Sequence, residues 1–165
     1  MNPKTNFDFA AYVEGMTGAN RLAQEKGFTF CTCSGLNYLE ELLQNYQGVS
    51  NFVAVSDLCD ESTMQVGGGW MKRRLFTVFI LARTPYGDMK AHKKAMALCR
   101  ELYRQMLSRL LQDEADLKND LIYLNLQDVR SSELGGSFLN GCTGLYFMLT
   151  MDEPTDISFN EEEWA

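Results

Sequence analysis

The chain has 165 residues and 18.7 kDa, with 45% hydrophobic and 22% charged residues. Those values suit one globular domain and exclude disordered, collagen-like and coiled-coil classes. A net charge of −7 and a pI near 4.7 exclude a surface that is basic throughout, as a general nucleic-acid binder would need. No apolar run approaches the roughly 18 residues that cross a bilayer, and the first twenty residues show no charged-then-apolar leader pattern. A cytoplasmic chain with five reduced cysteines is therefore expected.

Phe9, Tyr12, Val13 and Met16 recur at helical spacing and predict an N-terminal helix, although Gly15 and Gly18 each cost about 1 kcal/mol relative to Ala. Gly27 ends it. FTFCTCS then alternates bulky and small residues and predicts a short strand whose partner the sequence does not identify. Ser34 precedes GLNYLEELLQNYQG, where Leu36, Leu39, Leu42, Leu43 and Tyr46 share one face and Gly48 supplies a stop, predicting a short amphipathic helix. FVAVSD at 52–57 and WMKRRLFTVFILAR at 70–83 read as two strands of an extended hairpin joined by the polar loop CDESTMQVGGG. Because Leu75, Thr77, Phe79 and Leu81 alternate with Phe76, Val78, Ile80 and Ala82, the second strand is predicted to be central and covered on both faces. Its basic start, Lys72, Arg73 and Arg74, is expected to protrude.

Asp88 is placed to cap the next helix. From Met89 to about Asp113, Ala91, Ala95, Leu98, Cys99, Leu102, Met106 and Leu110 repeat at steps of three and four, the strongest periodic signal in the chain. An acidic linker follows. LIYLNLQDV at 121–129 and CTGLYFMLTM at 142–151 then predict a second hairpin, joined by the loop RSSELGGSFLNG. The expected fold class is α+β: a mostly antiparallel sheet of two hairpins packed against one long helix, with additional N-terminal helices. Residues 1–151 form the single domain, and 152–165 an acidic, mobile tail.

The search for chemistry returns little. His92 is the only histidine, sits on the polar side of the long helix, and is joined by no motif to any cysteine, so it reads as a solvated surface residue. Cys31 and Cys33 share one side of a strand, but no CxxC pair exists and Cys59 and Cys142 would have to converge on them to hold a metal; free thiols are the expected state. Gly67, Gly68 and Gly69 precede Lys72 but lead into a strand, whereas a phosphate-binding loop leads into a helix. Adjacent acids such as Glu40 and Glu41 point apart and do not face one scissile bond. Catalytic, cofactor-binding and metal-binding residues are all read as none.

The charge distribution is the informative feature. Residues 72–109 hold ten Lys or Arg against two acids, a local charge of +8, and the rest of the chain carries −15. Asp152, Glu153, Asp156, Glu161, Glu162 and Glu163 follow with no basic residue among them. Lys72, Arg73, Arg74, Lys90, Lys93, Lys94, Arg100, Arg104 and Arg109 form a basic stripe if the strand start and the helix face lie together. Such a stripe matches an acidic protein surface, and no sequence-specific nucleic acid or membrane is expected.

This element order resembles that of the tail-completion and tail-terminator proteins of long-tailed phages. The resemblance rests on RLFTVFILAR leading into MKAHKKAMALCRELYRQML, then LIYLNLQDV and GCTGLYFMLTM, and covers about residues 51–151. It implies a non-enzymatic α/β subunit of a phage or prophage tail that forms a homo-oligomeric ring and meets other tail or head-connector proteins, in the host cytoplasm or the virion. On this reading the positive segment 72–109 faces acids of a neighbour and residues 64–70 extend toward a tail or connector protein, with Trp70, Lys72, Arg73, Arg74, Lys93, Lys94, Arg100, Glu161, Glu162 and Glu163 as the interface residues. The competing classes are a small-ligand-binding or Cys-dependent enzyme domain and a monomeric protein-binding regulator.

Overall fold

The computed structural model describes residues 6–35, 51–135 and 141–165. The helix predicted over 36–46 lies outside them. The described chain is α+β. It has helices α1 (Phe9–Ala19), α2 (Arg21–Glu25) and α3 (Met89–Asn119), and strands β1 (Phe28–Cys33), β2 (Asn51–Ser56), β3 (Asp60–Val66), β4 (Gly69–Arg83), β5 (Tyr123–Leu134) and β6 (Cys142–Pro154), with a short 3-10 turn at Glu161–Glu163. The strands form one sheet in the order β1-β2-β4-β6-β5, and β3 pairs with the first half of β4. Every pairing is antiparallel except β1 with β2. That parallel pairing supplies the partner of the FTFCTCS strand.

Strand β4 is central because its double apolar alternation can be satisfied only there. Phe76, Val78, Ile80 and Ala82 join the larger core under α1 and α3, while Phe79 and Leu81 join Cys31, Cys33, Phe52, Ala54 and Cys142 on the opposite face. Helix α3 is started by Asp88, whose carboxylate accepts from the backbone N–H groups of Lys90 and Ala91 at 3.0 and 2.9 Å. It buries Ala95, Cys99, Leu102, Met106 and Leu110, one side of 31 residues, and at 1.5 Å per residue runs about 46 Å along β4, β5 and β6. Helix α1 lays Phe9 on Phe76, ring centroids 4.3 Å apart, and the Tyr12 hydroxyl donates to Asp113 of α3 at 2.9 Å.

Four expectations change. The polar segment 59–69 is not a loop: Asp60–Val66 is strand β3, turning through Gly67 and Gly68, both at positive φ, onto Gly69–Arg83. Its side chains are mostly exposed, so burial never imposed the apolar alternation by which strands are recognised; backbone pairing with β4 alone holds it. The acidic linker after Asp113 is helical to Asn119, continuing α3. Strand β5 runs to Leu134, through residues expected in a loop, with a register break between Asn125 and Arg130. Strand β6 runs to Pro154, so Asp152 and Glu153 belong to the sheet.

Gly144 of β6 lies opposite Leu81 at φ +154, and a Cβ there would fall 2.0 Å from the Ile80 carbonyl oxygen. Gly144→Ala is expected to destabilise the fold by roughly 2–4 kcal/mol. In contrast Gly15, exposed in α1 with open space around it, should gain about 0.5–1 kcal/mol on change to Ala. Urea denaturation of the two variants checks both signs.

Candidate functional site

The two ends of the β4–β6 pair carry opposite electrostatic arrangements. At one end the register sets Lys72 against Glu153 and Arg73 against Asp152. Glu153 is 2% exposed and lies 3.3 Å from the Lys72 ammonium and 2.8 Å from the Arg74 guanidinium. Its other oxygen accepts from the Phe7 backbone N–H at 3.0 Å, while Arg74 donates to the Phe7 carbonyl at 2.8 Å and Lys72 donates to the Asn6 side chain. The Arg74 guanidinium lies 4.7 Å above the Phe76 ring, and its buried Nε has no hydrogen-bond partner. One buried carboxylate thus ties the segment before α1 to the start of β4. Around it Arg73 makes two hydrogen bonds to Asp152, at 2.7 and 2.8 Å, which raise its pKa further.

The other end holds a hollow among the described residues. Where β4 turns into α3, a hollow of about 440 Å3 is lined by Tyr86, Met89, His92, Lys93, Met96, Arg100 and Glu133, with Thr143 at the start of β6 also in its wall. His92 is half-buried, and one ring nitrogen lies 3.2 Å from the Thr84 hydroxyl. Arg100 makes two hydrogen bonds to Glu133 of β5, at 2.6 and 2.8 Å; both side chains are exposed, and the contact holds the Glu133 carboxyl below the usual carboxylate range. Lys90, Lys93 and Lys94 are exposed on the first turns of α3, which carry no acid.

The expected basic stripe is divided, and along α3 Arg104 and Arg109 are paired with Glu101 and Asp113. Lys72 and Arg74 do not protrude: both are buried within the subunit, because β6 continues far enough to bring Glu153 between them. Trp70 and Arg73 remain exposed at that end. Lys93 and Lys94 lie on the first turns of α3, after the far end of β4, which is eleven residues or about 36 Å from Lys72, and Arg100 pairs with Glu133, whose register through Leu145 sets it level with Ile80. Glu161–Glu163 form an exposed turn beyond the end of β6. The sequence reading missed the hollow and the role of Glu153. The hollow's signal was the exposed aromatic and methionine in PYGDM directly before the lysines; that of Glu153 was the match between KRR opening one central strand and DE closing another.

Burial pushes the thiol of Cys31 up to about 12, Cys33 to about 11 and Cys99 to about 12, and raises that of Cys142. These four thiols stay protonated at neutral pH and pack as small apolar groups. Among the described residues no three or more His, Cys, Asp or Glu side chains are grouped to hold a metal, and no helix is long and apolar enough to cross a membrane. No family model matches the chain, and no curated protein matches it.

Removing the Glu153 carboxylate leaves two buried cations without their shared counter-ion. Glu153→Gln is expected to cost about 3–5 kcal/mol, whereas Glu133→Gln, which breaks an exposed pair, should cost about 1 kcal/mol or less. Urea midpoints of the two variants measure the difference; equal midpoints would refute the role given to Glu153.

Proposed function

We propose that the protein is a non-enzymatic assembly subunit of a phage or prophage tail, a tail-terminator or head–tail joining protein that acts through ring-forming contacts with its own copies and with tail or connector proteins. The observation that carries this reading is the β3–β4 hairpin. Among the described strands β3 pairs with β4 alone, and at the turn between them Val66 and Trp70 are exposed. A seven-residue strand whose outer edge no described strand covers offers its backbone to another chain, and exposed apolar residues beside the turn offer an anchor. The polar composition of β3, with Asp60, Glu61, Ser62 and Thr63, keeps that edge from pairing indiscriminately.

The long helix across a central strand, followed by two paired strands, is the element order on which the resemblance to tail-terminator proteins rests, and it supports the same reading. Of the residues expected at the interface, Trp70, Arg73, Lys93, Lys94, Arg100, Glu161, Glu162 and Glu163 remain accessible. Lys72 and Arg74 act inside the subunit, so reversing the charge of Arg74 would probe folding and not assembly.

A native mass measurement of the purified chain tests the proposal. The expected species is a closed oligomer of three or more 18.7 kDa copies. A chain that remains a single copy at every concentration reached would overturn it.

A further inference from the structure

We propose that residues 155–165 of one copy seat in the hollow at the start of α3 of a second copy, joining subunits head to tail; this rests on the assembly reading above and names its contact. Three independent observations converge on it.

The first is the chemistry of the hollow. Lys93 lines the hollow beside His92 and Arg100, the last paired with Glu133, and Lys90 and Lys94 are exposed on the same turns of α3, which Asp88 caps. Exposed lysines on one turn attract a negatively charged partner. The hollow also exposes apolar surface: Tyr86 is 86% exposed and Met89 stands beside it. Its volume of about 440 Å3 lies within the range of pockets that enclose a ligand-sized group.

The second is the chemistry of the segment that leaves β6. Asp156, Glu161, Glu162 and Glu163 occur there with no Lys or Arg among the same eleven residues. Phe159 is 73% and Trp164 70% exposed, their rings stacked 6.1 Å apart on either side of the glutamate turn. An acidic turn flanked by two exposed aromatic rings is the complement of a cationic rim around an apolar hollow.

The third is reach. Thr143 forms part of the wall of the hollow, and β6 then carries the chain eleven residues away to Pro154, about 36 Å at strand rise. The Thr155 backbone N–H is bonded to the Trp70 carbonyl at 3.0 Å, which anchors the segment at the far end of the sheet. From there to Trp164 the chain spans at most about 33 Å fully extended, and the 3-10 turn shortens it. No residue of the segment lines the hollow of its own subunit, and its anchor at Trp70 lies at the other end of the sheet. The contact joins unlike patches on two copies, the heterologous kind that closes a ring when the rotation permits.

The test uses full-length protein in four forms: unaltered, Lys93→Glu with Lys94→Glu, Glu161→Lys with Glu162→Lys, and all four changes together. All four side chains are exposed. Sedimentation equilibrium at low salt is expected to show each pair of reversals weakening association by roughly tenfold and their combination restoring most of the loss. Two results overturn the contact: reversals that leave association unchanged, or a combination as weak as the two effects multiplied. If all four forms associate equally, this contact falls and the assembly reading stands. If the unaltered chain does not associate, both fall.

Discussion

The pairing of β4 with β6 is the constraint on which the remaining structure depends. Thirteen consecutive residues of each strand are in register, from Met71 opposite Pro154 to Arg83 opposite Cys142. That ladder places Glu153 between Lys72 and Arg74, sets Gly144 where only a residue without a side chain fits, and gives α3 the surface of Val78, Ile80, Leu145, Phe147 and Leu149 on which to lie. It also fixes a length. Whatever happens where β4 becomes α3 is separated by the whole ladder from whatever happens where β6 ends. The subunit is polar in the geometric sense, with a cationic hollow at one end and an acidic aromatic segment leaving the other.

The charges at the two ends do different work because their surroundings differ. At the Glu153 end they are withdrawn from water, so each depends on the others and on the backbone of Phe7; the arrangement holds a particular conformation and would be costly to dismantle. Around the hollow the lysines are solvated and screened, contribute little to the fold, and are available to a partner. A uniform count of basic residues across 72–109 conceals this division. Burial assigns Lys72 and Arg74 to stability and leaves Lys93 and Lys94 exposed.

The parts of the fold legible in the sequence were those in which burial dictated a period. The α3 face of Ala95, Cys99, Leu102 and Met106, the double alternation of β4 and the cap at Asp88 could all be read directly. Strand β3 could not, because neither of its faces is buried and backbone pairing leaves no pattern in the side chains. The second half of β5 was hidden similarly: exposed Arg130, Ser131, Ser132 and Glu133 read as a loop until the ladder to β6 is seen. The strand extension through Asp152 and Glu153 was obscured by composition, since acidic residues near a terminus suggest a solvated tail. Of the candidate site, the sequence supplied the opposing charges but not their distances. It placed Lys72 and Lys93 on one stripe, and only the direction in which α3 leaves β4 separates them.

A subunit with unlike ends associates by repetition of one contact, whereas a subunit using the same patch on both copies forms a two-fold pair. Averaged electron-microscopy images of the purified assembly distinguish the two most directly. The account predicts closed rings of cyclic symmetry with three or more copies, each subunit's end of β6 against the start of the next subunit's α3. Particles consisting of two-fold pairs, with like ends in contact, would contradict it.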